Sequence, residues 1–227
     1  MSRLYRNYLE GYLRTAEDDR ADLVFALPEF ENDNTRSMNE RLKNSKPGTV
    51  KGTELLEALI CSRVYFDFSA VLLRRDYLLQ HHIKFYEDCS HGYAEAFIYN
   101  VLLCRPRISC AAVRPEREAS AGAREETVSR AVCYDRIEAM LRVYDNAQLL
   151  HMEDKALLEL FEYRKLPGVT MAAVDMLKKE NFSYSAIKKS LRQKGYDRLL
   201  RTSALTPKSL RRRIFVWKTL PWYYRTP

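Results

Sequence analysis

Residues 70–103 carry the side chains of this chain that are best suited to acid–base chemistry. A strand pattern ending in a basic pair precedes a short helix, and then a loop with acidic, aromatic and histidine residues. A new helix is predicted to begin at Ala94 and Glu95. The helix dipole stabilises a carboxylate in the first turn as an anion, and such a group can take a proton from a nearby hydroxyl. Glu95 is therefore the candidate base, with Glu87 and Asp88 as alternatives, and an ordinary helix-start glutamate is the competing interpretation.

The apolar pattern around this stretch predicts an α/β to α+β fold, with strands in the first half and helices in the second. Apolar and β-branched runs predict strands over residues 22–27, 63–73 (as a central strand) and 108–113. Apolar residues at helical spacing predict helices over residues 2–17, 54–61 with Thr53 as N-cap, 95–104, 127–144, 152–163, 168–180 and 184–194. Polar residues without periodicity predict long loops over residues 29–51 and 114–126.

Composition excludes several classes of protein. With 227 residues and 46% hydrophobic content, the chain is long and apolar enough to fold around a core, which argues against a disordered protein. No apolar run reaches the roughly 18 residues that a membrane span needs. The five cysteines show no C-x-x-C spacing, and residues 1–15 lack the pattern of a secretory signal peptide. We therefore expect reduced thiols and a cytoplasmic protein.

The net charge of +8 is unevenly distributed along the chain. From Lys178 to the end there are 14 lysines and arginines against two acids, a net charge of +12, so the first 177 residues carry −4. A strongly basic segment of this kind indicates an anionic partner.

The order of motifs in the first half resembles the acceptor-side half of family 2 glycosyltransferases of the GT-A type. Residues 71–78, VLLRRDYL, resemble the family segment Leu-x-Arg-Arg-Asp-Phe-Leu, and Ile83-Lys84-Phe85 resembles its Ile-x-Phe turn. Residues 92–96, GYAEA, stand where the family has Tyr-Gly-Glu-Asp, and residues 117–120, REAS, resemble its Arg-x-x-Ser. The resemblance covers about residues 3–130, and its specificity comes from order and spacing rather than from any single motif.

The resemblance implies a partial GT-A-like mixed sheet with flanking helices over residues 1–126. A helical C-terminal region at 127–200 and a basic aromatic tail at 201–227 would follow. The implied activity is inverting transfer of a sugar from a nucleotide-sugar donor to a glycan or lipid-linked acceptor, in surface polysaccharide biosynthesis. The implied roles are base for Glu95, acceptor contacts for His91, Tyr93 and Asp88, and diphosphate contacts for Arg114, Arg117 and Ser120. Guanidinium groups suit a diphosphate because their forked donors match phosphate oxygens.

This chain departs from the family pattern in two features, which concern the metal and the base. No nucleotide-binding half with an Asp-x-Asp precedes these motifs, so the chain resembles a truncated enzyme. The divalent metal of the family, Mg²⁺ or Mn²⁺, is expected, but its ligand residues are not present in the chain. The family's acidic pair is reduced here to Glu95 followed by Ala96, which leaves open which acid is the base.

The basic tail has the composition of a segment that lies at a membrane surface. Arg211, Arg212 and Arg213 precede Trp217 and Trp222, and cations with aromatic residues suit the headgroup region of an anionic membrane. We therefore expect a peripheral position on the inner face of the membrane; the alternative is that the tryptophans fold back onto the body. No nucleic-acid motif is found, so nucleic acid is not an expected partner. The competing function is a non-catalytic membrane-surface or partner-binding helical module.

Overall fold

The structure is a computed structural model that describes residues 3–28, 32–68, 70–112 and 132–220, with side chains from residue 9 onward. It is a mixed α and β protein that divides into two compact units. Unit 1 contains Met1–Phe85 and Ala94–Arg124, and unit 2 contains Tyr86–Tyr93 and Glu125–Pro227. Among the described residues, no helix has both the length and the apolar character needed to cross a membrane.

Unit 1 is built around a small mixed sheet with the strand order β2–β1–β3. The central strand β1, Leu23–Phe25, is fully buried, as expected of a short apolar run. It pairs antiparallel with β2, Val71–Leu73, and parallel with β3, Ile108–Cys110. Strands 22–27 and 108–113 are thus confirmed in a shorter form, and the mixed character of the sheet agrees with the sequence prediction.

The described part of unit 1 also contains α-helices. They are α1 (Arg3–Asp19), α2 (Asp33–Asn44), α3 (Gly52–Ile60), α4 (Arg75–Gln80) and α5 (Tyr93–Leu103), whose first residue belongs to unit 2. Every residue of α5 from Ala96 to Leu103 is buried, so α5 is a core helix rather than a surface helix. Its Phe97 ring stacks on the ring of Phe85, with 3.9 Å between the ring centroids.

The loop predicted over residues 29–51 is wrong, because α2 occupies much of it. A capping box begins this helix: the Asn32 side chain accepts hydrogen bonds from the Asn34 and Thr35 amides, and the Thr35 hydroxyl accepts one from the Asn32 amide. The buried face of α2 consists of Thr35, Asn39 and Leu42. Two of these three residues are polar, so the helical spacing does not show as an apolar pattern.

The central strand predicted over residues 63–73 is also wrong in length and position. Among the described residues of this range, only Val71–Leu73 form a strand, and this strand lies at an edge of the sheet. Val64 and Phe66 are buried, and the Phe66 ring stacks on Phe25 with 4.3 Å between centroids. Their alternation therefore reflects packing of an extended segment against β1 rather than strand pairing. The predicted cap at Thr53 is wrong as well, since Lys51 is the N-cap and α3 begins at Gly52.

Unit 2 is helical in its described part, as predicted for the second half of the chain. It contains α6 (Val132–Leu150), α7 (Lys155–Leu160), a π-helical turn (Phe161–Lys165), α8 (Leu166–Lys179), α9 (Tyr184–Gln193) and α10 (Lys208–Thr219), with a 3₁₀ turn at Tyr196–Leu199. Side-chain hydrogen bonds join neighbouring helices. The Tyr134 hydroxyl donates to the Ser190 hydroxyl at 2.9 Å, and the Tyr184 hydroxyl donates to the Trp217 carbonyl at 3.1 Å.

The described part of the predicted tail, residues 201–220, belongs to unit 2 and not to a separate segment. Leu210, Ile214 and Trp217 of α10 are buried, and α10 packs against α8. For Trp217 the alternative interpretation, folding back onto the body, is therefore correct. Trp222 lies outside the described residues.

Candidate functional site

The start of α5 depends on a glycine that no other residue can replace without strain. Gly92 has a φ of +82°, in the left-handed region that favours glycine. A Cβ at this position would lie 2.7 Å from Cγ of Arg136 and 3.2 Å from its Cα. The chain therefore turns sharply at Gly92 while it runs close to α6, and α5 begins at the next residue.

The loop before Gly92 contacts α6 through an ion pair, a cation–π contact and hydrogen bonds. Arg142 forms a two-armed ion pair with Asp88, in which Nη1 donates to Oδ1 at 2.6 Å and Nη2 donates to Oδ2. The Arg142 guanidinium also lies over the ring of Tyr86, 5.1 Å from its centroid. The Ser90 amide donates to Oδ2 of Asp135 at 2.8 Å. These contacts hold residues 86–90 against one face of α6, and we call them the loop anchor.

Two side chains of this loop have shifted pKa values. Hydrogen bonding from Arg142 lowers the pKa of the Asp88 carboxyl below its usual value, so Asp88 is ionised at neutral pH. Burial raises the pKa of the Cys89 thiol, and the thiol donates to the His91 carbonyl at 2.9 Å. A thiol with a raised pKa is a poorer nucleophile at neutral pH, which argues against a nucleophilic role for Cys89.

Four of the predicted site residues lie in the described part of the chain. Glu95 is partly buried in the first turn of α5, where the helix dipole favours its anionic form. Tyr93 begins α5 and is 46% exposed. His91 and Asp88 are exposed on the loop that precedes α5. Asp88 has its carboxylate held by Arg142, so its predicted contact with an acceptor would compete with that ion pair.

The predicted diphosphate contacts, Arg114, Arg117 and Ser120, lie outside the described residues. Their role stays a prediction. Arg142 has no signal in the sequence, because its partner Asp88 is 54 positions away and nothing in the local pattern links the two.

In unit 1, the buried residue Asp22 forms an ion pair that the sequence does not indicate either. Asp22 is buried at the start of β1 and forms an ion pair with Arg74, with 2.7 Å between Nη2 and Oδ1. Its other carboxylate oxygen accepts from the Arg107 amide at 2.8 Å. Asp22, which precedes β1, is thereby linked to Arg74 after β2 and to Arg107 before β3. Arg74, the first member of the basic pair in the sequence motif, thus has a structural role.

Within the described ranges, no group of three or more His, Cys, Asp or Glu side chains is placed to hold a metal ion. The described residues do not fit the divalent metal that the glycosyltransferase resemblance implies.

Comparison with known proteins gives no relative: no family model, no curated protein and no solved structure matches this chain.

Proposed function

We infer that this chain is the acceptor-side portion of a family 2, GT-A-type glycosyltransferase. The transfer would run from a nucleotide sugar to a glycan or lipid-linked acceptor in surface polysaccharide assembly. The observation that carries the proposal is the sharp turn at Gly92, which begins α5 and puts Glu95 in its first turn. Such a position suits a base that must stay ionised until a hydroxyl is bound.

The order of elements around this turn supports the same proposal. The sequence motif that resembles the family consists of a strand, a basic pair, a short helix, an aromatic turn, a glycine loop, a helix and a strand. In unit 1 and the adjoining loop these are β2, Arg74 and Arg75, α4, Phe85, the loop that ends at Gly92, α5 and β3. Phe85 at the aromatic turn stacks on Phe97 of α5, which explains why an aromatic residue is needed there.

The chemistry assigned to these residues is a single displacement. The Glu95 carboxylate takes the proton of an acceptor hydroxyl, the hydroxyl oxygen forms a bond to the anomeric carbon, and the bond from that carbon to the nucleoside diphosphate breaks. His91 and Tyr93 would contact the acceptor. Arg114, Arg117 and Ser120 would hold the departing diphosphate, whose negative charge increases as the bond breaks.

The test measures both acceptor binding and transfer. The purified chain is screened against a panel of glycans for binding. Transfer is measured as release of nucleoside diphosphate by a fusion of this chain to a nucleotide-sugar-binding half, which supplies the donor site, with glycan acceptors and Mg²⁺ or Mn²⁺. We expect glycan binding by the wild-type chain, and in Glu95→Gln a loss of transfer of about a hundredfold or more, which is typical of removing a general base.

Glu87→Gln is the matched control, because Glu87 is an exposed acid of the preceding loop. It should keep transfer; a loss confined to Glu87→Gln would exclude Glu95 as the base. Absence of both glycan binding and transfer would contradict the proposal and favour the non-catalytic module.

A further inference from the structure

Helix α10 has two opposite faces with different surroundings. Leu210, Ile214 and Trp217 recur at spacings of four and three residues and are buried. Lys208, Arg212, Phe215 and Thr219 recur at spacings of four, three and four on the other side and are all exposed. Phe215 is 60% exposed although its side chain is wholly apolar. We call these four residues the outer stripe.

The basic residues of α10 divide into those with a partner inside the chain and those without one. Arg211 donates to the Ser203 carbonyl at 2.9 Å, Arg213 forms an ion pair with Asp175, and Lys218 donates to the Leu200 carbonyl at 2.7 Å. These three residues stabilise unit 2.

The two cations of the outer stripe are different. Within the described part of the chain, neither the Lys208 nor the Arg212 side chain makes a hydrogen bond, an ion pair or a ring contact. Both therefore keep their charge and their donors for a partner outside the chain.

The outer stripe has the chemistry of a surface that meets anionic lipid. From Lys208 to Phe215 the helix rises about 10 Å, so two cations and one apolar ring lie along a short line. In interfacial helices, cations bind lipid phosphates while aromatic rings enter the boundary between headgroups and acyl chains. The outer stripe also belongs to the segment from Lys178 onward, whose net charge is +12. We propose that the outer face of α10 binds an anionic phospholipid membrane surface, with Lys208 and Arg212 on phosphates and Phe215 in the interface.

Single-stranded nucleic acid fits this face less well. Proteins that bind it stack successive bases on several aromatic side chains along a basic groove. The outer stripe offers one aromatic ring, and that ring has no hydrogen-bonding group. The proposal does not depend on glycosyl transfer, because it uses residues that the proposed chemistry does not involve.

The first experiment measures sedimentation of the chain with vesicles of phosphatidylcholine alone or mixed with phosphatidylserine. The wild-type chain should bind the mixed vesicles and not the neutral ones. Each lysine or arginine at an anionic surface contributes about fivefold to binding. The double variant Lys208→Gln, Arg212→Gln should therefore lose about 25-fold in the partition coefficient.

The matched control is Lys46→Gln, Arg63→Gln, which makes the same change in net charge at two exposed positions of unit 1. This control should bind mixed vesicles as the wild type does, because the proposal attributes binding to the outer stripe and not to the net charge of the chain. An equal loss in this control would overturn the proposal, as would equal binding of the wild-type chain to neutral vesicles.

A second variant tests the apolar contact independently. Phe215→Ala should weaken binding to mixed vesicles roughly tenfold, because a ring that is mostly exposed can no longer be buried in the interface. Leu149→Ala on α6 is its control, since Leu149 is 81% exposed and lies away from α10 in the sequence.

All four variants should keep the wild-type melting temperature. Unchanged binding in both α10 variants, or tighter binding to an RNA oligonucleotide through the same three residues, would refute the lipid assignment.

Discussion

Single ion pairs determine where the loop before α5 lies, and Asp88 with Arg142 is the clearest of them. The two-armed geometry matches the planar guanidinium to the carboxylate, which gives more orientation than a lysine would provide. Tyr86 adds a ring beneath the same guanidinium. Because this loop ends at Gly92, the position of His91 depends on the contacts that Arg142 of α6 makes with Asp88 and Tyr86.

The lowered pKa of Asp88 gives a prediction with a definite sign. A native pKa below the ordinary 3.8 means that the native state binds this proton less tightly than the unfolded state does. The ion pair therefore contributes stability above the ordinary pKa and loses it as the pH falls through the lowered native value. In a carboxyl-carbon NMR titration, Arg142→Gln should return the pKa of Asp88 to the ordinary range, because the hydrogen bond from Arg142 is the largest cause of the shift.

Arg192→Gln serves as the control for this titration. Arg192 is an exposed arginine of α9 that makes no described contact with Asp88, so its removal should leave the titration unchanged. A pKa for Asp88 that is the same in wild type and in Arg142→Gln would show that the ion pair does not form in solution.

At the scale of helices and strands, the close approach of α3 to α5 depends on Gly52. A Cβ at this position would lie 2.2 Å from the Leu102 carbonyl oxygen and 2.9 Å from Cδ of Pro106. The oxygen belongs to the backbone of the buried part of α5 and cannot move aside like a flexible side chain. The first turn of α3 therefore packs against α5 only because its first residue has no side chain.

We predict that Gly52→Ala destabilises the protein by about 3 kcal/mol, at the upper end of the cost of overpacking, because backbone must shift. Urea denaturation measures the change. Gly168→Ala is the matched control: Gly168 lies in α8, and its added Cβ would approach Leu210 only to 3.9 Å. That substitution should be neutral or stabilise by up to about 1 kcal/mol, because alanine favours a helix over glycine. Equal destabilisation by both would contradict the packing argument.

Elements with an apolar face could be predicted from the sequence, and those with a polar face could not. Helices α6 to α9 show apolar residues at helical spacing, α5 is a nearly continuous apolar run, and β1 and β3 are short apolar runs next to breaks in the pattern. Helix α10 was predicted only as part of the basic tail. In α2, Thr35 and Asn39 occupy two of the three buried positions, so the helix has no apolar pattern and its local signal is the capping box. Buried Val64 and Phe66 had the alternation of a strand without having a partner strand.

The same distinction applies to the candidate site. The helix start at Glu95 was predicted to within two residues, because an acidic residue ahead of an apolar run is a local signal of a helix start. Arg142 and the pair formed by Asp22 and Arg74 were not found, because their partners are 54 and 52 positions away in the sequence. Pairing of charges over such distances depends on the fold rather than on spacing.

At the scale of the whole molecule, each unit has its own buried core. In unit 1 the core is formed around β1 and α5, with Leu23, Phe25 and Leu102 among its fully buried residues. In unit 2 it is formed by α6 and α8, with Ile137 and Leu177 fully buried. A substitution whose partners all lie in one unit should therefore act on that unit first.

Asp22→Ala provides the test, because its partners Arg74 and Arg107 both belong to unit 1. Removing a buried carboxylate leaves the Arg107 amide without its acceptor, at a cost of about 2–3 kcal/mol. Hydrogen exchange should then become faster for the amides of β1 and β3 and stay slow for those of α6 and α8.

Tyr196→Phe is the reciprocal variant, since the Tyr196 hydroxyl donates to Glu138 at 2.5 Å within unit 2. It should cost about 1 kcal/mol and accelerate exchange in α6 rather than in β1. If either variant accelerates exchange evenly in both units, the chain unfolds as a single cooperative structure, and the two cores stabilise each other.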